Sequence, residues 1–202
     1  MAIIEIFGVL LGFIYLFLEY RAHQSMWLVS MVMALVYIVV YFKTGLFAYM
    51  TIYGLYFWMS LYGAYRWKRL QKRELTPLSE DEIVAAEGEN RLYFMPKNYW
   101  GWVILLSILM SVGFYYSVGA ISGEAPNHLD SIIGGMSLVA MGMLTQKWVE
   151  QWILLIIVNA ISIVLFWQTA LYYTLLLHGV YFIISFFGYL RWCKVAKAGE
   201  PQ

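Results

Sequence analysis

Trp152, Leu155, Asn159 and Ser162 are spaced three or four residues apart, so a helix through them would set all four on one face. That face offers an aromatic ring for stacking, an aliphatic patch, and a carboxamide that donates and accepts at once, which suits an amide or a ring nitrogen. Thr174, His178, Tyr181 and Ser185 form a second stripe at spacings of four, three and four, and Tyr49, Tyr53, Tyr56 and Ser60 form a third, richer in aromatic rings. A fourth runs through Trp27, Ser30, Ala34 and Tyr37. Such groups hold a flat, polar solute. None of them is arranged as a nucleophile with its base, a His/Cys metal set or a glycine-rich phosphate loop ahead of a lysine. No catalytic residue, cofactor or metal is therefore expected, and an enzyme or an ATP-driven pump is not the reading. The candidate acids and bases, Glu19, His128, Asp130, Glu150 and His178, are scattered along the chain.

Side chains of this kind also tie membrane helices together by hydrogen bonds. For Ser60 and Ser185 that structural role is the preferred reading, whereas Asn159 and His178 stay open between helix pairing and solute contact. The first helix carries its own stripe of Glu5, Gly8, Gly12, Tyr15 and Glu19. Its glycines permit close helix approach. Glu19 is expected to pair with Arg21 or another basic residue, with attraction of a cationic solute as the alternative.

The elements that carry these stripes are membrane spans. Of 202 residues, 62% are hydrophobic and 12% charged, against roughly 45–50% and about 25% in soluble domains. Apolar runs near 2–19, 26–42, 46–65, 100–119, 129–146, 151–167 and 170–190 predict seven spanning helices. There is no room for a separate soluble domain. The first run has no basic residue ahead of it and reads as a spanning helix, not a removable leader. With seven spans, every lysine and arginine except Lys43 falls on one side of the membrane. That side is cytoplasmic by the positive-inside rule, which puts the N-terminus outside and the C-terminus in the cytoplasm. Trp67, Trp100, Trp102 and Trp192 lie near helix ends and are read as interfacial anchors. A net charge of +1 gives no electrostatic ground for a nucleic-acid partner. Cys193 has no partner within the chain and is read as a free thiol.

Shifting the sequence against itself by 125 residues superimposes the third run on the seventh without a gap: Gly54 falls on Gly179, Tyr56 on Tyr181, Ser60 on Ser185, Gly63 on Gly188, and Arg66-Trp67 on Arg191-Trp192. Trp27 falls on Trp152 under the same shift. The expected organisation is an all-α membrane protein of three plus one plus three helices: a first repeat over 1–65, a cytoplasmic linker over 66–99, an inverting helix 4 over 100–119, a second repeat over 129–190 and a tail over 191–202. Within the linker, Ser79 with Glu82 is a capping-box pattern that predicts a short helix from about Ser79 to Glu87. Two parallel repeats about an axis along the membrane normal are a transporter arrangement, with the solute between them near midplane. A seven-helix sensor or receptor is the rival from another class, although the seventh helix has no central lysine for a retinal Schiff base.

With these residues in hand, the chain resembles the PnuC family of bacterial vitamin transporters over nearly its whole length. Its most specific stretch runs from Lys147-Trp148-Val149-Glu150-Gln151-Trp152 through Val158-Asn159. The resemblance implies a full-length version of the SWEET arrangement, uptake of an unphosphorylated B-type vitamin by facilitated diffusion with alternating access, a bacterial inner-membrane location, a homotrimer, and functional coupling to a cytoplasmic vitamin kinase. Members carrying nicotinamide riboside have a Trp-x-x-Trp pair, and Leu155 stands here in place of the second tryptophan. Nicotinamide riboside is the first expectation, and thiamine the alternative. Both present a flat cationic ring that Trp152, Tyr53, Tyr56 and Tyr181 could stack upon. The substrate-binding set expected from stripes and resemblance together is Trp152, Asn159, Leu155, Ser162, Tyr37, Tyr53, Tyr56, His178 and Tyr181.

Overall fold

The computed structural model describes residues 2–45, 47–75, 91–123 and 127–198. Seven α-helices occupy them: α1 (Ala2–Tyr20), α2 (Met26–Thr44), α3 (Phe47–Leu75), α4 (Trp100–Ser122), α5 (His128–Thr145), α6 (Gln151–Gln168) and α7 (Tyr172–Ala198). Five helices are long and apolar enough to cross a membrane, namely α2 and α4 to α7. The chain is a multi-pass membrane protein. The side chains of Glu5, Gly8 and Tyr49 and the expected helix at 79–87 lie outside what is described.

Two helices run past their expected ends. α3 was expected to stop near 65 and α7 near 190, but both continue through the basic residues that follow, to Leu75 and Ala198. Lysine and arginine are good helix formers, their charge is favoured at a helix C-terminus, and the sequence places no proline or glycine in either extension before the helix ends. Where chain reversal is needed, the backbone turns through left-handed residues. Gly45 (φ 74°) closes α2 with its N–H shared between the carbonyls of Phe42 and Tyr41, and Gly123 (φ 71°) closes α4. Ala22 (φ 52°), Lys147 (φ 60°) and Ala170 (φ 56°) do the same work without a glycine. Ala22 and Lys147 are 125 residues apart, as are Gly45 and Ala170.

Six helices close a ring in the order α1, α2, α3, α5, α6, α7, each packing on its two neighbours, while α4 lies outside against α5 and α3. The outer faces are rich in exposed apolar residues such as Leu28, Trp58, Leu106 and Phe187, the surface expected where the solvent is lipid. Between α3 and α4, the segment before the 3₁₀ turn Lys97–Tyr99 is pinned to the α5–α6 turn. The Tyr93 N–H donates to the Lys147 carbonyl (3.0 Å), the Val149 N–H to the Tyr93 carbonyl (3.0 Å), and the Met95 N–H to Glu150 Oε2 (2.8 Å).

The basic end of the ring is filled by Trp27, Trp67, Trp152 and Trp192, each no more than 1% exposed. This corrects the reading of Trp67 and Trp192 as interfacial anchors, which Trp102, 62% exposed, fits. Trp27 meets Trp67 edge to face with ring centroids 5.7 Å apart, and Trp152 meets Trp192 likewise at 5.6 Å. Trp67 Nε1 donates to the Leu144 carbonyl at the end of α5 (2.9 Å), and Trp192 Nε1 donates to the Glu19 carbonyl at the end of α1 (3.2 Å). Each bond ties one half of the ring to the other. Position alone could not separate these rings from an aromatic belt, because both uses put tryptophan near a helix end.

Candidate functional site

At the centre of the ring lies a cavity of about 260 Å³, just below the roughly 300–1,000 Å³ of sites for drug-sized ligands. Its lining comes from five of the six ring helices: Tyr15 and Glu19 of α1; Ser30, Met33 and Ala34 of α2; Tyr53 and Tyr56 of α3; Ser137, Met141 and Leu144 of α5; Gln151 and Leu155 of α6. Three tyrosines and two methionines share the wall with small aliphatic and polar side chains. Among the described residues Glu19 is its only carboxyl side chain.

Three residues of the expected set, Tyr53, Tyr56 and Leu155, line this cavity. Tyr56 is held by a side-chain hydrogen bond with Ser137 of the neighbouring α5. Tyr37 stands behind Tyr53, their ring centroids 4.7 Å apart, and Tyr41 completes the aromatic group. The other residues gather on the α6–α7 side. Asn159 Oδ1 lies 2.9 Å from His178 Nδ1, and Asn159 Nδ2 donates to the Leu155 carbonyl (2.8 Å) and to Ser185 Oγ (3.4 Å). His178 packs in turn against Phe166 and Tyr181. Tyr181 reaches α1 where Gly12 leaves room: a Cβ on Gly12 would fall 2.6 Å from the tyrosine oxygen. Trp152 is fully buried in the tryptophan group, and Ser162, also fully buried, donates back to the Val158 carbonyl (2.9 Å). Neither is part of the cavity lining.

Ser60 and Ser185 have the structural role expected of them. Ser60 Oγ pairs with Ser30 Oγ at 2.7 Å and Ser185 with Asn159, each joining adjacent helices. Glu19 departs from expectation. It turns into the cavity beside Gln151, while Arg21 faces outward with its guanidinium carbon 5.0 Å above the Phe17 ring. Gln151, 1% exposed, bonds to the Glu19 side chain. The stripe reading passed over Gln151, Ser137, Met33 and Met141. For Gln151 a signal existed, since it lies four residues before Leu155 on the same helical face. For the α5 residues there was none, because only the closed ring brings α5 opposite α3.

A ring of apolar helices around a partly polar chamber defines a multi-pass membrane protein with a solute-sized cavity within its bundle. The chain matches the model of the nicotinamide mononucleotide transporter family over residues 2–194, and it belongs to that family. It is 30% identical over 99 residues to the nicotinamide riboside transporter PnuC of Haemophilus influenzae, covering 48% of this chain and 42% of that protein. With the protein of the same name from Escherichia coli it shares 29% identity over 94 residues, 46% of this chain and 39% of the relative. The chain thus spans about two fifths of the length of the curated relatives it matches. A crystal structure described as that of the vitamin B3 transporter PnuC superimposes with a TM-score of 0.71 over 96% of this chain and 81% of that one, at 22% identity, which shows a shared fold.

Proposed function

We propose that this chain carries an unphosphorylated B-type vitamin, nicotinamide riboside first, across the bacterial inner membrane by facilitated diffusion with alternating access. The observation that carries the reading is the central cavity, walled by helices from both halves of the ring. Its composition favours the unphosphorylated form over the mononucleotide in the family's description: among the described residues the lining has a carboxyl group and no lysine or arginine to meet a phosphate. Tyr53 and Tyr56 supply flat faces for a ring. Family membership over residues 2–194 supports transport over catalysis and over the sensor or receptor alternative.

Alternating access needs two units that can rock about the solute. The duplication supplies them, as a repeat over 1–65 and a repeat over 129–190 with helix 4 as the inverter. Several local features repeat at 125 residues and support this organisation: the starts of α2 and α6, the starts of α3 and α7, the left-handed turns, and the tryptophan–glycine pairs Trp27–Gly63 and Trp152–Gly188. The N-terminus then faces outward and the basic tryptophan end inward. A homotrimer and a cytoplasmic kinase that traps the vitamin as its phosphate accompany this reading through the family resemblance.

Leu155 favours a second substrate, thiamine, because it lines the cavity where the family's second tryptophan stands. Calorimetric titration of the purified protein separates the two. Nicotinamide riboside is expected to bind and its mononucleotide not to. Leu155→Trp should tighten nicotinamide riboside roughly two- to tenfold by restoring a stacking face, and Asn159→Ala should weaken it about fivefold by releasing His178. Binding of thiamine alone moves the assignment to the second substrate. Binding of neither vitamin overturns the transport reading for both and returns the sensor alternative.

A further inference from the structure

Glu19 is 2% exposed, inside a ring of apolar helices, and no basic side chain is paired with it among the described residues. A carboxyl group in that setting is costly to fold, and such groups persist in membranes where they serve a solute or ion. Its position has an internal control. Leu144 stands 125 residues on, at the corresponding end of α5, and both side chains line the cavity. Both backbones are fixed in the same way, each carbonyl accepting the indole N–H of a buried tryptophan from the opposite half of the ring, Trp192 for Glu19 and Trp67 for Leu144. One half meets the packing requirement with leucine. The carboxylate of the other is therefore not needed to close the ring. Beside it, the buried Gln151 side chain bonds to the carboxyl and fixes its orientation towards the cavity.

We infer that Glu19 is the charge-selecting residue of the cavity: its carboxylate, positioned by the buried Gln151 beside it, faces the cationic ring of the solute. The inference rests on the reading of this cavity as the vitamin site. It adds that charge, and not ring shape alone, decides what the cavity accepts. The Ser30 and Glu19 side of the chamber is polar where the matching Leu155 and Leu144 side is aliphatic, so a planar cation binds with its charged ring towards α1.

The test compares solutes that differ in charge and little in shape: nicotinamide riboside against its neutral reduced form, and thiamine against its neutral 3-deaza analogue, each titrated into the full chain and into Glu19→Gln and Glu19→Leu. The wild type should prefer the cation of whichever pair it binds. Both variants should weaken that cation on the order of tenfold or more while changing the neutral partner less than about twofold, a pattern that loss of folding cannot produce. Equal losses for cation and neutral analogue, or an unchanged preference in the variants, would overturn the inference. So would tight binding of a neutral vitamin such as riboflavin that is indifferent to Glu19. If thiamine and not nicotinamide riboside shows the effect, the named substrate fails and the role of Glu19 stands.

Discussion

A Cβ added to Gly188 would lie 2.7 Å from the Trp152 ring, and one added to Gly63 would lie 2.3 Å from the Trp27 ring. Both contacts are with rigid, fully buried indoles, so neither can be relieved by a small side-chain rotation. Gly188→Ala and Gly63→Ala are each expected to destabilise the fold by about 1–3 kcal/mol, read as a lower melting temperature in detergent. Gly54→Ala and Gly179→Ala, on the same helices, meet nothing within 4 Å and should leave melting unchanged or slightly raised. Residue types carried part of the cavity wall: Tyr53, Tyr56 and Leu155 were legible from helical spacing and do line it. Spacing gives a face and not a depth, however. It could not distinguish Leu155, which lines the chamber, from Trp152 three residues earlier, whose ring packs on Trp192 and Gly188.

Helices and turns show a similar division. The apolar runs located seven helices because each span must be continuous to satisfy its own backbone. They missed the ends of α3 and α7, since a run of basic residues ends a membrane span without ending a helix. The turns at 45 and 170 take the same left-handed conformation, once with glycine and once with alanine. Glycine adopts that conformation freely, while an L-residue pays roughly 1–2 kcal/mol for it. Gly45→Ala should therefore lower stability by about 1 kcal/mol, although its surroundings are open, and Ala170→Gly should not lower it and may be tested in the same melting series. A fall in stability for Ala170→Gly that matched Gly45→Ala would show that turn strain is not what separates the two positions.

Over the whole molecule, the ring order fixes which surfaces can meet. α1 joins α7 and α3 joins α5, so the two halves close on each other through the Trp192–Glu19 and Trp67–Leu144 hydrogen bonds, with the chamber between them. The proposed orientation has a direct check in a Cys193→Ser background, which removes the only native thiol. Lys43→Cys should react with a membrane-impermeant maleimide on intact cells, and Lys97→Cys only after permeabilisation; the reverse pattern would invert the topology. By itself the sequence determined the class of the protein, the number of helices, the 125-residue correspondence and the family, because hydropathy, charge asymmetry and repetition are properties of the chain read along its length. Tertiary structure decided that four tryptophans form a buried core at one end, that α5 faces α3, and that Glu19 turns inward beside Gln151 while Arg21 turns out. Those outcomes depend on which helices become neighbours, and helix neighbours are chosen by side-chain packing across the ring, at sequence separations no local pattern spans.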